Sequence, residues 1–320
     1  MKTKNVFLGI DTSNYTTSIA LCDQDGRLLV DKRQILEVKN GERGLRQSEA
    51  LFQHTNNLPK CLSEIDFSQY KIKNIGVSVS PRPIADSYMP VFRVGFGVAK
   101  ALASVLNVPL NLFSHQEGHI RAAMYGCGLN SNKINFPFLA THFSGGTSEI
   151  ILVDKKDSGF SCSIIGQTLD LNAGQLVDRI GVASGLSFPA GKAMETLAMS
   201  YPHSSFRISS RVEGADFHFS GQENQAKKLL IAGYDPGEIA YALFKSIAKT
   251  LERSIRYSVE KTQVKTIVFS GGVMANVIIK HTLKHRFRGS GIKLFFSDPC
   301  YATDNAVGCA LLAQEATWEN

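Results

Sequence analysis

No stretch of the 320-residue chain approaches the ~18 consecutive apolar residues that a bilayer-spanning helix needs, so no membrane segment is expected. The amino terminus carries Lys2 and Lys4, but only the short run Val6–Ile10 precedes Asp11. That pattern predicts a first strand and not a secretory signal. The six cysteines (Cys22, Cys61, Cys127, Cys162, Cys300, Cys309) contain no CxxC pair and lie too far apart for a zinc ribbon or a compact disulfide framework, which leaves a reducing, cytoplasmic setting as the expectation. Low-complexity segments and clear flexible linkers are also lacking.

What is present is ordinary for a folded protein: 43% hydrophobic and 20% charged residues. The length allows two lobes, since a single core stops growing near ~250–300 residues. Lys and Arg number 35 against 28 acids, a net charge of +7. This favours a polyanionic partner through counterion release without establishing one.

Val6-Phe-Leu-Gly-Ile10 reads as a buried strand, Asp11–Thr17 as a hydroxyl-rich turn and Ser18–Cys22 as a returning strand. Helix-spaced apolar residues over 91–106, a short strand at 108–113 and a helix from Ser114 then alternate, which predicts α/β architecture. After a turn at Asn130–Lys133, "FPFLATHFSGGTSEIILV" (136–153) repeats the strand, turn, strand pattern. A helix is expected from Gly237 to about Lys261, followed by "VKTIVFSGGVMAN" (264–276) as strand, glycine turn and helix start.

The chemistry-bearing segments each have two readings. Ser144-Gly145-Gly146-Thr147 and Ser270-Gly271-Gly272 are glycine turns at strand ends, either free-amide cradles for a phosphate or turns that need positive φ. In "FSHQEGHIRAAM" (113–124), His115 and His119 stand at i and i+4 on one helix face, so one cation can reach both rings. A zincin's base follows its first histidine, but that place is Gln116 here, so the protease motif is not matched. Ser114-x-x-Glu117 instead has the form of a capping box. His281 and His285 share the same spacing but sit among Lys280, Lys284, Arg286 and Arg288, which repel a divalent cation; they read as a solvated basic face or a phosphate contact. Asp304, before an apolar helix, is either an N-cap or a third metal ligand.

The collinear order HxEGH, FSGGT, "DRIGVASGLSFPAG" (178–191), FSG (219–221), SGGVMAN and TDNA (303–306) resembles the TsaD family of tRNA threonylcarbamoyl transferases over nearly the whole chain. The resemblance implies two RNase-H-like lobes of the actin, sugar-kinase and heat-shock-ATPase superfamily with a cleft between them. The lobes would cover about 1–128, completed by a helix at about 303–320, and 129–302. It also implies transfer of a threonylcarbamoyl group from its AMP anhydride to N6 of the adenosine 3′ to the anticodon, with tRNA, an adenine nucleotide and accessory proteins of that pathway as partners. Position by position, His115, His119 and Asp304 match the ligands of one divalent metal, iron or zinc. Ser144–Thr147 match the phosphate-facing loop, with Gly271 and Gly272 as a second glycine turn; Asp178, Gly191 and Asn276 match nucleoside contacts. His142 falls where some members have a tyrosine near the metal, so it is a candidate fourth ligand or a strand-end histidine.

Departures from the pattern are concentrated. The usual ETSCDE or ETSCDD turn is Asp11-Thr-Ser-Asn-Tyr-Thr16, which lacks the two adjacent acids and leaves Asp11 as the candidate catalytic acid. GEAFDK is Gly174-Gln-Leu-Val-Asp-Arg179, FSGLK is Phe219-Ser-Gly-Gln-Glu223, and the PGL turn is the longer "SPRPIADSYMP" (80–90). Three functions follow for comparison: the family's transfer reaction, carbamoylation of another acceptor by a divergent paralogue, and a non-catalytic nucleotide-binding partner.

Overall fold

The opening apolar run continues further than its composition suggests. β1 (Lys4–Ser13) and β2 (Thr16–Asp23) pair antiparallel, with Asp11 opposite Ser18, Thr12 opposite Thr17 and Ser13 opposite Thr16. The expected turn over 11–17 is therefore mostly strand. The hydroxyls of Thr12, Ser13 and Thr17 are buried yet bonded, which removes the penalty that would otherwise push them into a loop. Thr12 Oγ1 donates to the Val91 carbonyl at 3.0 Å and accepts from the Gly95 amide, while Ser18 Oγ donates to the Asp11 carbonyl. The structure is a computed structural model and describes residues 3–316 except 14, 39–44, 85 and 202; Asn14, in the departing turn, lies outside it.

Two compact units form. The first comprises Met1–Asn130, Asp154–Cys162 and Cys300–Asn320, the second Ser131–Val153 and Ser163–Pro299. In the first, β3 (Leu28–Ile35), β4 (Tyr70–Ser80) and β5 (Leu110–Ser114) extend the hairpin into a sheet of order β3-β2-β1-β4-β5, with β1, β4 and β5 parallel. α1 (Gln47–Ser63) and α2 (Phe92–Leu106) bury an apolar layer that includes Leu8, Ile10, Leu58, Val77 and Ala99. α3 (His115–Gly126) and α9 (Val307–Ala316) bury another that includes Phe7, Ala20, Ala122 and Ala310. Close approach of α9 rests on absent side chains: a Cβ at Gly9 or Gly76 would strike α9 or the residue leading into it, and one at Gly308 would strike the Gly118 carbonyl of α3.

The second unit holds the sheet β12-β11-β6-β7-β8. β6 (Phe138–Phe143) and β7 (Ser148–Lys155) are the expected second hairpin, extended by β8 (Phe160–Gln167), and β11 (Thr266–Ser270) lies parallel to β6 and to the edge strand β12 (Lys293–Phe296). Around it stand α4 (Ala173–Ala183), α5 (Gly191–Met199), the short ribbon β9 (Arg211–Glu213) and β10 (Asp216–His218), α6 (Ser220–Ile231), α7 (Pro236–Thr262) and α8 (Val277–Arg286). α7 begins where Asp235 caps its first turn and Pro236 supplies a preset φ, and it ends at left-handed Gln263. No helix among the described residues is long and apolar enough to cross a membrane.

Asp170 fastens the start of α6. Its carboxylate accepts from the Phe219 and Ser220 amides, the Ser220 hydroxyl and the Leu171 amide. Partial burial pushes its pKa up, but these bonds outweigh that and bring it down to about 2. A depressed carboxyl stabilises the fold above its unfolded pKa and loses that contribution as pH falls through its folded pKa. Asp170→Asn is expected to lower stability by about 1–2 kcal/mol at pH 7. In urea titrations the gap to the parent chain should narrow as pH is lowered from about 4 towards 2; a gap independent of pH would contradict the assignment.

Candidate active site

α3 starts where the sequence predicts. Ser114 Oγ accepts from the Glu117 amide at 3.2 Å, and Glu117 Oε2 accepts from the Ser114 amide at 2.7 Å. Glu117 Oε1 also accepts from the Phe160 amide at 2.9 Å, so both of its oxygens are engaged within the fold. This box sets the phase of the helix and puts His115 and His119 on one side, ring centroids 4.2 Å apart and nearly edge-on.

Asp304 meets them from the segment before α9. Its Oδ1 lies 3.4 Å from His115 Nε2 and 3.3 Å from His119 Nε2, and the three residues can offer ligand atoms that all lie within 4.8 Å of one another. Asp304 does not cap α9; Asn305 Oδ1 accepts from the Val307 amide instead. The back of His115 is also held: Nδ1 lies 3.0 Å from Asp11 Oδ1, and Asp11, 1% exposed, further accepts from the Ser13 hydroxyl at 2.6 Å and from Ser78 Oγ. A carboxylate on one imidazole nitrogen fixes the tautomer and aims the other nitrogen outward, the usual support for a metal-ligating histidine.

The electrostatics agree with that geometry. Burial works against a charged His115, yet the charges and hydrogen bonds of Asp11 and Asp304 outweigh it and push its pKa up to about 10. Burial also pushes Asp11 and Asp304 up, but His115, joined at Asp304 by His119 and at Asp11 by the two serines, holds both carboxyls below the usual range. The field of this pocket favours a cation. Two imidazoles and a carboxylate suit zinc or iron(II), so the residues fit the ion that the sequence motif implies.

Ser13, Ser78, Thr17 and His54 complete the surroundings, and sequence patterns alone did not single out any of them. His54 is fully buried, shares a 2.8 Å hydrogen bond with Thr17 Oγ1 and has its pKa lowered by burial. Ser78 reaches Asp11 only because β4 runs beside β1, which no local signal announces.

The other anticipated residues lie in the second unit and are joined by a closed ring of contacts. Ser144 Oγ accepts from the Gly146 and Thr147 amides, while Gly145 and Gly146 face open space. Gly174 at the start of α4 donates its amide to the Ser144 carbonyl and leaves no room for a Cβ. Asp178, one turn further along α4, accepts from the Ala190 amide at 2.8 Å, directly before Gly191. Glu195 of α5 accepts from the Val277 amide beside Asn276, whose Oδ1 caps α8 by accepting from the Ile278 and Ile279 amides. Gly271, at φ 94°, passes over the backbone of Phe143, where any Cβ would collide, and so closes the ring next to Ser144; Gly272 is open. His142 stands on β6 opposite Glu149 and Ser270 and is not among the three grouped ligands.

Two five-stranded mixed sheets with helices packed around them place the chain in the fold class of sugar kinases and actin-like ATPases. The HypF protein of T. kodakarensis is similar at a TM-score of 0.63 with 14% identity, covering 99% of this chain and 48% of that one. The activator of the 2-hydroxyisocaproyl-CoA dehydratase from Clostridium difficile is similar at 0.54 with 13% identity, over 98% and 96% of the two chains. Residues 43–311 match the family model described as TsaD, tRNA N6-adenosine threonylcarbamoyltransferase, and the chain belongs to that family. Relatives bearing the same description include those of Neorickettsia sennetsu, 27% identical over 97% of this chain and 93% of theirs, and Dictyoglomus turgidum, 28% identical over 95% and 92%.

Proposed function

We propose that the protein transfers a threonylcarbamoyl group from threonylcarbamoyl-AMP to N6 of the adenosine 3′ to the anticodon of tRNA, in the cytoplasm, with the accessory proteins of that pathway as partners. The observation that carries this reading is the convergence of His115, His119 and Asp304, from distant parts of the chain, within a family match of 43–311. In the transfer, N6 forms the new bond to the carbamoyl carbon, the bond from that carbon to the phosphate oxygen breaks, and N6 loses a proton. AMP is already a good leaving group, so orientation contributes more than a protein nucleophile. His115, His119 and Asp304 would hold a divalent iron or zinc ion, which would supply Lewis-acid polarisation when bound. Asp11, buried and saturated with donors, serves this chemistry by orienting His115. The ring formed by Ser144–Thr147, Asp178, Gly191, Gly271, Gly272 and Asn276 holds the nucleotide, and His142 is a candidate further ligand that His142→Ala would test through metal content.

The test is reconstitution of the purified protein with zinc or iron, threonylcarbamoyl-AMP and an unmodified tRNA transcript, with and without accessory proteins, followed by mass analysis of the nucleosides. One adenosine heavier by the threonylcarbamoyl group is expected. If no combination modifies tRNA, the proposal fails. Retained nucleotide binding would then favour a paralogue with another acceptor, a reading for which the missing acids beside the 44% exposed Tyr15 provide the specific motive.

A further inference from the structure

All of the chain's net charge is concentrated in one segment. Residues 261–297 contain Lys261, Lys265, Lys280, Lys284, Arg286, Arg288 and Lys293 and no aspartate or glutamate. These seven account for the net charge of +7, and the remainder of the chain is balanced. The segment spans the end of α7, β11, α8 and the edge strand β12 of the second unit; on α8, β12 and the turn between them His281, Lys284, His285, Arg286, Arg288 and Lys293 are exposed, while Lys261 and Lys265 lie outside that face.

Local structure explains only part of this. Lys284, His285 and Arg286 in the last turn of α8 suit the negative end of the helix dipole. Arg286 shares the single carboxylate of Glu252 with Arg256. Lys280, Lys284, Arg288 and Lys293 have no carboxylate partner among the described residues. Lys280 and Lys284, like charges at i and i+4 and therefore mutually unfavourable, both reach over the Phe296 ring, at 5.4 and 5.8 Å from its centroid. Phe296 is in turn fixed by stacking on Phe269 at 4.4 Å. The aromatic floor holds two ammonium groups side by side despite their repulsion, an arrangement that an anion bridging them would relieve.

We propose that the face formed by α8 and β12 is a docking surface for the phosphate backbone of RNA, which, given the function proposed above, is the acceptor tRNA. Lys280 and Lys284 meet phosphates over the Phe296 floor, and Arg288 and Lys293 extend the track. None of these residues belongs to the candidate metal centre or nucleotide ring.

The experiment measures binding of a fluorescein-labelled, unmodified tRNA transcript by anisotropy across a salt series, for the full chain and for Lys284→Gln/Arg288→Gln, which alters two exposed side chains. Each lost phosphate contact should reduce the slope of log Kd against log salt by about one, with Kd raised about tenfold for the pair. Lys284→Arg should bind as the parent does, and saturating tRNA should restore the transfer rate of the double variant. An unchanged Kd and slope would overturn the face; if that variant and the parent still modify tRNA, the proposed function survives. Neither binding nor modification of tRNA by the parent overturns both. Binding of the parent to phosphatidylserine vesicles with no binding to tRNA would overturn the RNA assignment in favour of a membrane surface.

Discussion

Asp304→Ala is expected to strip the protein of its metal and reduce threonylcarbamoyl transfer by about a thousandfold, the equivalent of several kcal/mol of lost transition-state stabilisation. The carboxylate is the sole candidate ligand in the triad that does not come from α3, and its removal leaves only the two histidines, with His115 still oriented by Asp11. Zinc affinity measured by competition with a chelating dye should fall further than for Asp11→Asn, which removes the orienting charge and keeps all three ligands; that outer substitution should cost about 10–100-fold. Equal zinc content in the parent and in Asp304→Ala would exclude the site. Weaker zinc binding in Asp11→Asn than in Asp304→Ala would make Asp11 a ligand.

Gly308→Ala is expected to do comparable damage from outside the pocket. The added methyl would fall on the Gly118 carbonyl, and Gly118 lies between His115 and His119 on α3, while Gly308, the second residue of α9, follows the segment that carries Asp304. Backbone atoms cannot step aside as a flexible side chain can, so the two helices must separate. Destabilisation of about 3 kcal/mol is expected in denaturant titrations. Because the separation moves Asp304 away from the histidines, zinc affinity should fall together with stability. A variant that is destabilised but binds zinc as tightly as the parent would show that the helix contact does not set the ligand geometry.

Local chemistry was legible in the sequence wherever it repeats or caps. The Ser114–Glu117 box, the hairpin of β6 and β7, the long helix α7 and the paired histidines were all readable from spacing. The stretch 11–17 reads as a turn because hydroxyls normally signal loops, but it is mostly strand; the partners of its hydroxyls come from β2, Val91 and Gly95, which spacing cannot reveal. For the same reason the bond from Ser78 to Asp11 and the burial of His54 against Thr17 were invisible, since each depends on strand order or on a helix packed across the sheet. Asp304 taken alone reads as an N-cap or a third ligand, and the family motif favours the ligand; in the structure it lies beside both histidines, and Asn305 fills the capping role.

The separation of the ligands along the chain also governs when the site can exist. During synthesis, His115 and His119 leave the ribosome long before position 304 has been made, and the β1 strand carrying Asp11 is still earlier. A nascent chain therefore presents two histidines and an orienting acid with no third ligand, a weak and unselective half-site. Tight loading must wait until α9 has docked on α3. Delivery of the proposed ion would in that sense be a post-translational event, and a chain interrupted before position 304 would be unable to retain it.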